Sequence, residues 1–214
     1  RMFNNTIEAC FRFVEGAQVT FEDLWFKVGG NYTALTLWNE SAITCKQVYF
    51  EITTPINSEF FIYMDTHSEM TLDGVGMKVP EKHQSVIGMS ASELSIQNST
   101  IFSKIDLSEG SKLTLENVHI EKFGNNTIHA KDSEVIAKNS TITGGDLEKD
   151  FPPVWLRNVI WESENCKIEL PTGTGICLDN NVQFNSDSDR MTSINSYNSM
   201  IRAHQATFSE FLCV

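Results

Sequence analysis

Two carboxylates in this sequence stand at a spacing that suits acid–base chemistry. Glu69 and Glu93 open two similar stretches, Glu69-Met70-Thr71-Leu72-Asp73 and Glu93-Leu94-Ser95-Ile96-Gln97. Stacked as neighbouring parallel strands, those stretches would lie about 4.8 Å apart. Retaining glycosidases hold their paired carboxyl groups about 5 Å apart. Crowding two like charges also raises one pKa, as a general acid requires. The plainer reading is a solvated surface pair that splays apart, with Lys112 in the following stretch relieving the repulsion. No residue is therefore expected to be catalytic, and Glu69 and Glu93 are the pair to test if the chain is an enzyme.

Metal chemistry finds less support. Asn185, Asp187 and Asp189 alternate like the start of a calcium loop, but the glycine at its sixth position and its closing glutamate are missing. His67, His83, His119, His129 and His204 are scattered and form no HxxxH. Cys10, Cys45, Cys166, Cys177 and Cys213 are odd in number and form no CxxC, which argues against a zinc site and a disulfide framework. No metal and no cofactor is expected. Buried free thiols, in a chain folded with reduced cysteines, are the better reading.

Binding chemistry is carried by aromatic residues. Trp25 and Tyr49 fall at the same outward position of successive repeats and would stack as a platform for a sugar ring or a partner's side chain. The alternative is a pair covered by a loop or by the N-terminal cap. A second outward position reads Thr20, Thr44, Thr71, Ser95, Thr114, Ile136, Trp155, Cys177, Arg202, a threonine-rich stripe that turns apolar at Ile136 and Trp155. Trp25, Tyr49, Trp155 and Ile136 are the candidate binding residues.

These positions depend on a repeat. Ser92–Ile101, Ser111–Ile120 and Ser133–Ile142 share one pattern: small, x, apolar, x, apolar, x, Asn, small, x, apolar. Copies at about twenty-residue spacing mark a solenoid. Looser matches run from residue 17 onward and give about nine coils. Alternation turns Leu94 and Ile96 inward and Ser95 and Gln97 outward. Second-strand candidates lie between these cores at Thr33–Leu37, Phe60–Met64, Ile105–Leu107, Thr127–Ala130 and Lys167–Leu170. Thr53–Glu59, Gly144–Pro153 and Asn185–Arg190 read as loops.

The Asn slot is filled in turn by Asp23, Gln47, Gly74, Asn98, Asn117, Asn139, Asn158, Asn180 and Gln205. A sharp corner pushes one residue toward left-handed φ, which Asn and Gly tolerate best. Stacked amides can also bond from coil to coil. Residues 1–16 do not match the repeat. Ile7, Cys10, Phe11 and Val14 share a helical face, so a short amphipathic helix is expected to cap residues 17–214, although the alternation of Phe11 and Phe13 would also suit a strand.

The inward aliphatic stacks and the Asn turn resemble those of right-handed parallel β-helix proteins, the pectin-lyase-like superfold, over residues 17–208. The resemblance implies an all-β, single-stranded right-handed parallel β-helix. Its members include polysaccharide lyases and hydrolases, phage tailspikes, autotransporter passengers and surface-binding modules. The Asp-Asp, Gly-His-Gly and Arg-x-Lys elements of polygalacturonase-like members are absent, as is the pectate-lyase Asp-His element; only Asn185-Ser186-Asp187 echoes their Asn-x-Asp.

Composition narrows the partners. Sixteen Lys and Arg against twenty-eight Asp and Glu give a net charge of −12, a field that repels a phosphate backbone and excludes nucleic acid. No apolar run approaches the roughly 18 residues that span a bilayer, and no secretory signal stands at the start. The chain is expected to be cytoplasmic or secreted without a visible signal peptide. Asn98 and Asn139 belong to sequons but are expected to be buried, so the sequons read as by-products of the repeat in a chain of bacterial or phage type. The leading expectation is a non-catalytic recognition module, of the secreted-effector, adhesin or acidic-inhibitor type, binding a protein or glycan on a flat face. The alternative is a carbohydrate-active enzyme or a tailspike-type polysaccharide-binding module.

Overall fold

The computed structural model describes residues 3–7, 11–28, 33–52, 60–78, 86–123, 126–145, 152–169 and 175–213. Every regular element among them is a strand, and all the pairings are parallel. Coils stack into a β-solenoid with three strand ladders, one for each of its three faces.

The first face carries the recognised repeat. Its nine strands run from Gln18–Glu22 through Ala42–Lys46, Glu69–Asp73, Glu93–Gln97 and Lys112–Glu116 to Met200–His204. The second face starts at Phe3–Ile7 and continues through Leu24–Val28, Tyr49–Ile52 and Gly76–Lys78. The third contains Phe11–Phe13, Leu35–Leu37, Ile62–Met64, Val86–Ser90 and Lys104–Ser108. Ile128–Lys138 and Val154–Glu164 bend around the corner from the third face into the first.

Period-2 alternation builds the interior. Leu94, Leu113 and Val135 stack inward in register, as do Ile96, Leu115 and Ala137, and all six are buried. Burial of each such side chain stabilises the fold by about 1.5–3 kcal/mol before entropy is counted. The middle of the core is aliphatic. Toward the N-terminus it turns aromatic, with Phe26 stacked on Phe50 at 5.3 Å between ring centroids. Toward the C-terminus Trp161 stacks on Phe184 at 5.8 Å. The positions two residues on are the small Ser163 and Ser186, which makes room for both rings.

The corner after the first face has the expected backbone. Asp23, Gln47, Gly74, Asn98, Asn117 and Asn139 all have φ between 48° and 64°. The amide stack forms too: Asn117 Nδ2 donates to Asn98 Oδ1 at 3.3 Å, and Asn165 Nδ2 to Asn139 Oδ1 at 2.8 Å. Gln47 lies over Gly74, where a Cβ would meet its Nε2 at 2.2 Å. The stack runs along the outer rim, however. Asn98 and Asn139 are exposed, not buried as expected, so burial gives no reason to dismiss their sequons. The residue that turns inward is the next one.

That inward residue solves a backbone problem. At a corner the strand ladder is interrupted, and a buried N–H needs another acceptor. Ser99 Oγ accepts from Val75 N at 2.9 Å, and Ser140 Oγ from Val118 N at 3.2 Å, each from the preceding coil.

Three expectations are corrected. The N-terminal cap is not a helix: Phe3–Ile7 and Phe11–Phe13 are strands that pair with Leu24–Val28 and Leu35–Leu37. An available strand edge and the Phe11/Phe13 alternation outweigh the helical pattern. The seventh and eighth corners of the first face are Asn165 and Ser188, not Asn158 and Asn180. Asn158 and Asn180 occupy the other corner, which also has positive φ. Asn185–Arg190 is no loop, since Asn185 and Asp187 lie in the strand Gln183–Asp187 and Ser188 turns the corner. The second-strand candidate at Lys167 is a strand as expected, over Lys167–Glu169; it lies on the second face, pairing with Thr141–Thr143, whereas the other candidates lie on the third. Thr53–Glu59 lies outside the described residues, as does Cys10.

Candidate binding surfaces

Glu69 and Glu93 pair in register on adjacent strands of the first face. Both side chains are exposed on an outward strand surface. Lys112, next in the column, makes its ion pair with Glu134 at 3.1 Å. The register is as expected, but the setting is an open ladder rather than a water-excluding site.

The threonine-rich stripe holds through Thr20, Thr44, Thr71, Ser95, Thr114 and Ile136. It then continues as Glu162, Asn185 and Arg202, not as Trp155 and Cys177. Ile136 thus opens onto a groove of about 420 Å³ that includes Glu162, Asn185, Asp187, Arg202 and His204. Side-chain contacts cross it: Lys138 pairs with Glu164 at 3.4 Å, and His204 Nδ1 hydrogen-bonds Asp187 Oδ1 at 3.1 Å. The hydrogen bonds from His204 and Ser188 hold the Asp187 carboxyl below the usual range.

The calcium-like triplet does not converge. Asp187 is exposed while Asp189 is 1% exposed. Asp189 accepts from Ser186 Oγ at 2.7 Å, from Cys166 N at 2.7 Å and from Ser163 Oγ, which in turn accepts from Trp161 Nε1 at 2.8 Å. Its role is to fill and satisfy a corner of the core.

Trp155 belongs to the third face, in a column with Asp106, His129 and Cys177. Sequence reasoning missed this group. Both Asp106 and His129 lay within second-strand candidates, at matching positions, and aligning those strands would have joined them. His129 Nδ1 lies 2.6 Å from Asp106 Oδ1, and Lys104 Nζ donates to the other oxygen at 2.8 Å. Burial pushes the Asp106 carboxyl up, but the bonds from His129 and Lys104 outweigh it and leave its pKa lowered. The His129 ring stacks on Trp155, with centroids 4.6 Å apart. One face of Trp155 is thereby occupied from within the protein. Trp155 also separates His129 from Cys177 by a full rung, so the three do not form a nucleophile–base pair.

Trp25 and Tyr49 do come together as expected, on neighbouring strands of the second face. Their rings meet edge to face, with centroids 5.8 Å apart at 87°. They line an open groove of about 810 Å³ with Asp23, Lys27, Glu51 and Lys78. The next residue in the column is Gly76, where a Cβ would come within 2.8 Å of the Tyr49 ring. A bare backbone there lets the ring lie down across the sheet. Lys27 Nζ sits 5.0 Å from the Trp25 ring centroid, a cation–π contact. Lys78 donates to Glu51 at 3.0 Å. That bond, with smaller help from the charges of Lys78 and Lys27, holds the Glu51 carboxyl below its usual range. The Trp25 N–H is buried and closes no hydrogen bond of its own.

Cys45 and Cys166 are buried free thiols, and Cys177 is half-buried. Among the described residues no group of His, Cys, Asp and Glu is arranged to hold a metal ion, and no helix is long and apolar enough to cross a membrane. No protein-family model matches the chain, and no curated protein matches it significantly. Fold and surface together define a β-solenoid with an aromatic groove on one lateral face.

Proposed function

We propose that this chain is a non-catalytic recognition module that binds a protein or glycan through a lateral face of the solenoid. The observation that carries this reading is the Trp25–Tyr49 groove. Two large aromatic rings line an open surface on strands already fixed by their ladders, so binding orders little that is not ordered beforehand. Aromatic residues concentrate binding energy at interfaces. Such a surface suits an adhesin, a secreted effector or an acidic inhibitor, the kinds of protein in which a rigid flat face does the work.

The register of Glu69 with Glu93 keeps a second reading open, a carbohydrate-active enzyme. The two readings differ in which residues matter. A glycan array and a pulldown are run with wild type, Tyr49→Ala, Trp25→Ala, Glu69→Gln and Glu93→Gln. The recognition reading expects binding to drop with the aromatic changes and to survive both Gln changes, because exposed rim charges contribute little. Loss of a polysaccharide-cleaving activity in either Gln variant, with the aromatic variants silent, would overturn it.

A further inference from the structure

Resting on that reading of the same groove, we infer that its ligand is a neutral hexopyranose unit of a glycan. Three features converge on this chemistry. The first is shape. Tyr49 is 39% exposed and lies over the bare backbone of Gly76, forming a floor. Trp25 stands at 87° to it and forms a wall, with Lys27 against its ring. A pyranose ring has a flat face of C–H groups that packs on an aromatic floor, and an aromatic floor and wall together suit its chair better than a single planar surface does.

The second feature is charge. Asp23 and Glu51 are balanced by Lys27 and Lys78, and the Lys78–Glu51 pair is closed at 3.0 Å. A uronate or sulfated sugar would bring its anion beside Asp23 and Glu51 and would have to compete with Glu51 for Lys78. A cationic ligand would meet Lys27 and Lys78 instead. A neutral ligand loses nothing to either.

The third feature is the placement of hydrogen-bonding groups. The Gln47 amide and the carboxylates of Asp23 and Glu51 rim the aromatic floor. Planar groups of this kind accept and donate to pairs of sugar hydroxyls, whereas the apolar interior of a protein hot spot would leave them unpaired. At about 810 Å³ the groove has room for more than a single sugar ring, so a chain of hexoses is expected to bind better than one.

The test uses the full chain and three soluble probe sets: neutral gluco-, manno- and galacto-oligosaccharides, oligouronates, and sulfated oligosaccharides. Binding is measured by calorimetry at low and high salt. At least one neutral set is expected to bind, with a Kd that changes little with salt, since no net charge is neutralised. Tyr49→Ala is expected to weaken that binding by about tenfold or more, while Tyr49→Phe, which keeps the ring, retains it. Gly76→Ala, which leaves both aromatic residues in place but lifts the Tyr49 ring, is expected to weaken it as well. Unchanged thermal unfolding of each variant shows that the effect is not misfolding. Binding confined to oligouronates or sulfated sugars, falling as salt rises, overturns the inference, and so does the absence of neutral-sugar binding at millimolar concentration. If a protein partner is instead captured through Tyr49, the sugar inference fails and the recognition reading stands. If Tyr49→Ala changes nothing in either arm, both fail.

Discussion

The Asp189 carboxylate accepts the backbone N–H of Cys166, one coil earlier, at 2.7 Å. The same buried group holds Ser163 and Ser186. It is the most elaborate version of a device repeated at Ser99 and Ser140, where an inward side chain supplies the acceptor that the broken ladder cannot. Asp189→Ala leaves the Cys166 N–H and two hydroxyls without that partner. A loss of about 3 kcal/mol or more is expected, at about 1–3 for each of the three groups left unsatisfied. Denaturant unfolding reads it directly, and an unchanged midpoint would show that the corner hydrogen bonds are dispensable.

Asn117→Leu tests the outer amide stack. Asn117 has φ of 55° and donates to Asn98 at 3.3 Å. Because the side chain is exposed, the expected loss is about 1–2 kcal/mol and comes mainly from forcing a branched residue into the left-handed region. Asn117→Gly, which relieves the strain but also removes the amide, should lose less. Equal losses in the two variants would make the amide bond, not the backbone, the dominant contribution.

The buried thiols give a pH dependence. Burial pushes Cys45 up to about 12 and Cys166 up to about 11. Both folded values lie above the ordinary thiol value, so the folded state holds its protons where the unfolded chain releases them. Their contribution is complete below about pH 8.5 and is lost as pH rises toward the folded values. In that window each thiol should lower stability by about 1.4 kcal/mol per pH unit. Cys45→Ala should make the alkaline slope shallower, and both thiols should resist a thiol reagent at pH 8 until the protein unfolds. Rapid labelling of native Cys45 would contradict its inward register.

Asp106 gives the opposite sign. Its folded pKa is lowered, so its contribution is present at neutral pH and is lost as pH falls through the carboxylate range to that lowered value. Partial exposure limits the effect to about 1 kcal/mol. The stability difference between wild type and Asp106→Asn should therefore shrink from pH 7 to pH 3 in urea titrations. A difference constant across that range would show that the bonds from His129 and Lys104 do not favour the ionised form.

The central coils were legible because each of their positions carries one message. Leu94, Leu113 and Val135 are apolar and inward, and Asn98, Asn117 and Asn139 mark one corner. Toward the C-terminus the code becomes degenerate. Asn158 and Asn165 both sit at corners with left-handed φ, but at the repeat spacing Asn158 follows the apolar pair Val154 and Leu156 while Asn165 follows Trp161 and Ser163, so the apolar pattern matches the wrong corner better. That ambiguity moved Trp155 onto the wrong face and concealed the groove beside Ile136. It did not touch Trp25 and Tyr49, which lie where the repeat runs in phase. The Asp106–His129 contact is hidden for a different reason: the third-face corners carry Ala91, Glu109 and Asp132 rather than a repeated Asn, so no marker residue aligns those strands in the sequence. What the groove binds is not written in the repeat, since outward side chains are free of the packing that fixes inward ones.

The most direct test of the recognition reading compares Tyr49→Ala with the double change Glu69→Gln, Glu93→Gln in one binding and activity assay against neutral oligosaccharides and candidate protein partners. The expected result is that Tyr49→Ala reduces binding by about tenfold or more while the double Gln variant binds like wild type. The contradicting result is that Tyr49→Ala binds as wild type and the double Gln variant, still folded, loses a glycan-cleaving activity that wild type shows.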